Sequence, residues 1–152
     1  MKIYVASSWR NHIQDIIVLT LRGVGHEVYD FRHPAPGDNG FAWSEIDPDW
    51  QKWSTSEFRI ALSSAPAERG FGLDMDALRW CDACVLVLPC GRSAHLELGW
   101  ACGAGKKTMA LALEEVGPHE PELMYKMLDL PVCISIHEMI EMLGRWGQEA
   151  CG

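Results

Sequence analysis

An α/β fold, Rossmann-like or flavodoxin-like, with a parallel sheet of about five strands and helices on both faces, is what the 152-residue sequence predicts. Three observations point there. Short β-rich runs alternate with segments of helical period. The run CDACVLVLP, residues 81–89, is apolar without alternation, as a strand buried on both faces must be. The alternation itself implies crossovers, and parallel strands need a helix to make them.

Taken in order, KIYVA from Lys2 to Ala6 reads as the first strand. From Arg10 to Val24, Ile13, Ile16, Ile17, Thr20, Leu21 and Val24 recur at helical spacing, and Gly25 closes the helix. HEVYDF, from His26, is a second strand, and residues 81–89 supply the central one. Lys107 to Leu113 and Pro131 to Ile136 repeat the strand pattern more weakly. Helices are expected at 94–105, around 121–128 and near 137–147.

One domain spanning 1–152 is expected, with an insert at 31–64 that is far longer than the ~2 to 6 residues usual between elements. In the insert, Asp47-Pro48 is a plausible helix start, and Ser54 to Glu57 has the spacing of a capping box. Two short helices should form there. Trp43, Trp50 and Trp53 are concentrated in it, either as its hydrophobic anchors or with one, Trp43, stacking on a planar ring.

The formal net charge of −8 disfavours a nucleic-acid polymer as partner, because phosphate backbones are held by clustered Lys and Arg. No stretch reaches the ~20 apolar residues of a membrane span, and MKIYVASSWR lacks the apolar segment of a secretory signal. A cytoplasmic protein is expected. The six cysteines, Cys81, Cys84, Cys90, Cys102, Cys133 and Cys151, sit mostly in apolar segments and read as reduced core residues without disulfides. Cys81 and Cys84 are spaced like a metal or redox pair but have no second pair, and HEMIE puts Glu141 where a zinc-protease helix needs its second His. No metal and no cofactor is expected.

Chemistry concentrates where strands run into helices. In GRSAHLELG, residues 91–99, helical geometry gives Glu97 a face shared with Ala94, Trp100, Ala101 and Ala104. A carboxylate in such a seam needs a partner, a hydrogen bond or a cavity. With Ser93 as N-cap, Glu97 would stand in the first turn, where the helix dipole favours the ionised form and suits a nucleophile. In GFGLDMDALRWCD, residues 70–82, the stripe Phe71, Asp74, Leu78 and Cys81 makes Asp74 the acid on the inward side and Asp76 a solvated one.

Paired carboxylates at a sugar are the usual equipment for cleaving a glycosidic bond. Ser7, Ser8 and Arg10 after the first strand, and Gly91, Arg92 and Ser93 after the central one, make two anion-ready turns that suggest a phosphate between them. Ser7 or Ser8 as a plain helix cap is the other reading. His95 projects away from Glu97 and is given a packing or interface role.

The segments KIYVASSWR, LDMDALRWCDACVLVLP and SAHLELGWACGAGKK resemble the nucleoside 2-deoxyribosyltransferase-like family, which includes the 2'-deoxynucleoside 5'-phosphate N-hydrolases. The resemblance implies that Glu97 is the nucleophile, that Tyr4 orients it, that Asp74 matches the family's helix Asp, and that Ser8 and Arg10 match the phosphate-binding pair of the N-hydrolases. Gly91 stands where the transferases have Asp and the N-hydrolases Ser. A homodimer or larger homo-oligomer, assembled through the helix matching GWACGAG, is implied in the same way.

The expected function is cleavage of the N-glycosidic bond of a nucleoside 5'-monophosphate or nucleoside through a glycosyl-enzyme intermediate. Base exchange by a deoxyribosyltransferase, a non-catalytic nucleotide sensor and an interaction module built on the insert are the alternatives.

Overall fold

A computed structural model describes residues 1–151. The chain forms two compact units, one made of Met1–Tyr29 with the chain from Trp80 onward, the other of Asp30–Arg79. The first carries the sheet: β1 (Lys2–Ala6), β2 (Glu27–Asp30), β3 (Ala83–Val87), β4 (Lys107–Leu111) and β5 (Leu130–Cys133), in the order β2-β1-β3-β4-β5. The helices are α1 (Gln14–Gly23), α2 (Thr55–Ala61), α3 (Ala65–Trp80), α4 (Arg92–Gly103) and α5 (Ile136–Cys151).

β3 is buried at all five positions and pairs in parallel with β1 on one side and β4 on the other. Its register sets Tyr4 opposite Cys84 and Cys84 opposite Thr108. Side chains alternate across a strand, so each neighbour sorts to one of two faces. Ile3, Val5, Val85, Val87, Met109 and Leu111 share one cluster with Ile17, Val18 and Leu21 of α1 and Met139, Leu143 and Trp146 of α5. Tyr4, Ala6, Cys84 and Leu86 take the opposite face, the side left to Ala94, Leu98 and Ala101 of α4. Helices therefore cover both faces. β5 is an edge strand, which is where Pro131, lacking an N–H, is tolerated.

Two expected helices come out shorter. α1 starts at Gln14 instead of Arg10 because Asn11 folds the preceding turn on itself, its Oδ1 accepting the Ile13 N–H at 2.9 Å. Around 121–128 there is a single 3-10 stretch, Leu123–Met127, in which only Tyr125 is buried. One inward side chain is too little apolar surface to hold a longer helix. Five of the cysteines are free, and Cys151 falls outside the residues whose side chains are described. Among the described residues no helix is long and apolar enough to cross a membrane.

The second unit is built on aromatic edges. Trp43 meets Phe41 at 4.8 Å, Phe58 at 5.7 Å and Trp53 at 5.8 Å between ring centroids, each close to perpendicular, the edge-to-face geometry that ring quadrupoles favour. The Ser54–Glu57 capping box forms as expected: Glu57 Oε2 accepts the Ser54 N–H at 2.7 Å, and Ser54 Oγ accepts the Glu57 N–H at 3.3 Å. Asp47 starts no helix of its own; its Oδ1 accepts the Asp49 N–H and its Oδ2 the Trp53 indole N–H, ahead of a 3-10 turn at Trp50–Lys52. Arg69 of α3 ties the unit together, pairing with Asp38 and with Glu45.

α3 comes so close to Phe41 that a Cβ on Gly70 would lie 2.7 Å from the Phe41 Cβ. That atom is fixed to backbone and cannot swing away. We expect Gly70→Ala to destabilise the protein by about 1–3 kcal/mol, read as a lowered urea midpoint. An unchanged or raised midpoint would show that the contact is looser than this.

Candidate functional site

The strand order reverses between β1 and β3, and in open α/β sheets ligands bind outside the strand ends at such a point. The two turns that leave these strands are stitched together by side chains. Ser7 Oγ donates to the Val87 carbonyl at 3.1 Å, and Asn11 Nδ2 donates to the carbonyls of Val87 and Pro89, both at 3.1 Å. Asn11 is 1 % exposed. The sequence offered no role for it beyond its place in SSWRN; its buried position at the switch point is visible only in three dimensions.

Ser7 spends its hydroxyl proton on Val87, so it holds the turn. Ser8 Oγ accepts the Arg10 N–H at 3.2 Å within the turn, so neither Ser7 nor Ser8 caps α1, whose N-cap is Ile13. Arg10 is exposed, as are Gly91, Arg92 and Ser93 in the other turn. Gly91 is the N-cap of α4, in extended conformation and without a side-chain cap, so Arg92 and Ser93 occupy the first turn, whose amides have no acceptor within a helix.

That N-cap lies two residues before Ser93, which the sequence had suggested. Glu97 therefore stands in the second turn, past the first-turn positions where the helix dipole acts. Glu97 is half-buried beside Leu98, on the flank of the face that α4 turns to the sheet.

The thiols around it register its charge. Cys90 is pushed up to about 11, by burial first and by the negative Glu97 second. Cys84, wholly buried on β3, is raised well above the ordinary thiol value by burial, by Cys81 and by Glu97. Cys84 is also the register partner of Tyr4. Glu97 and Tyr4 thus belong to the same face of the sheet at its switch point. Tyr4 is fully buried, and its ring stacks on Tyr29 with centroids 5.2 Å apart and planes at 23°.

Asp74 and Trp43 belong to the other unit. Asp74 is half-buried on α3, while Asp76 is exposed and pairs with Arg79 at 3.0 Å, so the two acids differ as their helical phase predicted. Phe71 does not follow its stripe: it is 65 % exposed, and Gly70, one residue earlier, is the one that faces inward. Close approach required the smallest residue there, which a hydrophobic period cannot reveal. Trp43 is half-buried as the hub of the aromatic cluster.

The Cys81–Cys84 pair is buried, with Cys81 raised to about 11 by burial, so neither thiol is activated. Among the described residues no three His, Cys, Asp or Glu side chains gather as a metal-binding group.

These features define a class of protein: an open α/β sheet of order β2-β1-β3-β4-β5 with a carboxylate on the helix that follows the central strand. Two solved structures share the fold. One is a CMP N-glycosidase, BcmB, from Clostridium botulinum, at 21% identity and a TM-score of 0.50, over 95% of this chain and 99% of that one. The other is a 2-deoxyribosyltransferase from Bacillus psychrosaccharolyticus, at 19% identity and a TM-score of 0.55, over 91% of this chain and 90% of that one. No protein-family model and no curated protein matches the sequence. The fold likeness agrees with the resemblance read from the sequence segments.

The electrostatic coupling is testable without any substrate. Replacing Glu97 by Gln removes the charge that helps hold the Cys90 proton, so the thiol pKa falls and the thiolate fraction at pH 8–9 rises. Iodoacetamide labelling of Cys90, followed by peptide mass spectrometry, should quicken roughly threefold to tenfold in Glu97→Gln. An equal or slower rate would mean that Glu97 does not face this turn as an anion.

Proposed function

We propose that this protein cleaves the N-glycosidic bond of a nucleoside 5'-monophosphate or nucleoside, with Glu97 as nucleophile. A Glu97 carboxylate oxygen bonds to the anomeric carbon while the carbon–nitrogen bond breaks and the base leaves with its electron pair and takes up a proton. Water then attacks the same carbon, releasing the sugar and regenerating the carboxylate. The observation that carries this reading is the half-buried Glu97, on the Tyr4 face of the sheet at its switch point and electrostatically coupled to Cys84 and Cys90. The likeness in fold to an N-glycosidase and a deoxyribosyltransferase supports the same chemistry.

In this reading Tyr4 orients Glu97, and Ser8, Arg10, Arg92, Ser93 and the Gly91 turn hold a 5'-phosphate, with Ser7 keeping the turn in place. Arg92 in the first turn of α4 and Arg10 in the turn that follows β1 favour a phosphorylated substrate, and hydrolysis over base exchange. Asp74 takes its part, proton transfer to the leaving base or the incoming acceptor, from the family resemblance. Trp43 takes its part, stacking on the base, from the sequence. No metal or redox cofactor enters the steps. We place the reaction in the cytoplasm and the protein in a homodimer or larger homo-oligomer, with α4, whose Leu96 and Trp100 are exposed, as the assembling helix.

Incubation with a panel of nucleosides, nucleoside monophosphates and NAD, followed by chromatography for free base, tests the proposal. Base should appear with a 5'-monophosphate. Glu97→Ala should lower the rate at least ~10³-fold, and Tyr4→Phe on the order of 10- to 100-fold. Tight nucleotide binding without release in the wild type would sink the enzyme reading in favour of a sensor.

A further inference from the structure

His95 uses both ring nitrogens. Nδ1 lies 3.0 Å from the Gly91 carbonyl oxygen, and Nε2 lies 2.9 Å from the Tyr125 hydroxyl. A carbonyl only accepts, so Nδ1 carries the proton, with the Cys90 sulfur at 3.5 Å as a second and weaker acceptor. In the neutral ring Nε2 then accepts, and the Tyr125 hydroxyl donates to it. The rings are also stacked, with planes 9° apart and centroids at 5.9 Å.

Tyr125 is buried and comes from the 3-10 stretch between β4 and β5, 30 residues further along the chain. Burial first, then the charges of Cys90 and Glu122, push its hydroxyl up to about 12, so it keeps its proton at any ordinary pH. At the far end of α4, Cys102 Sγ donates to the Met127 carbonyl at 3.3 Å. The same short stretch thus grips α4 near its start and near its end.

The Gly91 carbonyl is where these bonds converge. It belongs to the N-cap of α4, and the amides and side chains of Arg92 and Ser93 follow directly. Gly91 has no side chain to fix its own peptide, and no side chain caps the helix there. His95 adds a side-chain bond to this carbonyl, which as the N-cap already accepts from the helix backbone, and Tyr125 holds His95 in the tautomer and orientation that supply it.

We propose that His95 and Tyr125 are positioning residues for phosphate recognition: the Tyr125–His95–Gly91 chain of hydrogen bonds locks the first turn of α4 in the orientation that receives a 5'-phosphate. Neither residue touches substrate. The inference rests on the nucleotide-cleaving function proposed above and adds a prediction of its own, that losing the chain of bonds weakens binding of the phosphorylated substrate without slowing the chemistry.

Three variants separate the links. Tyr125→Phe and His95→Asn each break the bond between the two residues, while Asn retains a donor close to the Nδ1 position for Gly91. His95→Gln extends past that position and loses the side-chain bond to Gly91. With CMP as substrate, KM should rise roughly tenfold in His95→Gln and about threefold in Tyr125→Phe and His95→Asn, with kcat nearly constant. KM for cytidine, which lacks the phosphate, should stay within about twofold. Equal effects on CMP and cytidine, or a fall in kcat at constant KM, would overturn the proposal.

If the wild type releases no base, the proposed function fails by itself, and calorimetric titration with CMP and with inorganic phosphate takes the place of KM. Amide hydrogen exchange of residues 95–98 adds a readout independent of turnover. Exchange should be faster in His95→Gln than in the other two variants; identical exchange in all three and the wild type also overturns the proposal.

Discussion

The structure depends on how two carbonyl-rich strand ends are satisfied where the sheet reverses its order. β1 and β3 lie side by side, but the chain leaves them for different helices, so the backbone groups at their tips lose the ladder that paired them. The Asn11 amide answers for two carbonyls at once, and Ser7 donates a further bond to one of them. Asn11 uses its remaining oxygen on the Ile13 N–H, which sets where α1 begins. One buried side chain therefore fixes the mouth between two turns and the entry of a helix. A lost partner here would leave buried polar groups unsatisfied, at roughly 1–3 kcal/mol each.

Beside these stitched turns stands a half-buried carboxylate. Glu97 stands beyond the reach of the α4 dipole, and its neighbours on the sheet side are thiols, which stay neutral because burial and Glu97 itself raise their pKa. Cysteine here is a small packing residue that can sit beside an anion without competing as a base or nucleophile. A reactive thiol in the same place would need nearby positive charge, and none of the causes acting on Cys90 or Cys84 lowers its pKa.

Most of the fold was legible because it is written in runs. The apolar β3 and the Ser54–Glu57 cap carry local signals and appear as expected, while of the α1 stripe Ile17 and Leu21 are buried within the helix and Ile16 and Val24 are exposed. Of the site, Glu97 and Tyr4 could be singled out as a polar side chain in an apolar seam and a strand residue of the family pattern. Asn11 and the His95–Tyr125 pair could not, because their partners lie 78 and 30 residues away. Sequence spacing carries no trace of such bonds. The Gly70–Phe41 contact was hidden for a related reason: a glycine chosen for close approach looks like any other glycine.

The two units are also held by different physics. Of the buried apolar side chains among the described residues, those between residues 30 and 79 are Ala61, Ala67, Ala77 and Leu78, while the sheet unit buries whole strands of Val, Leu, Ile and Met. The smaller unit therefore relies on half-buried rings around Trp43, on Arg69 pairing with two acids and on one helix cap. Edge-to-face rings and partly exposed ion pairs each contribute only about 0.2–1.5 kcal/mol, much less than a packed aliphatic core. A unit with so few buried apolar side chains has the features of segments whose local opening costs least.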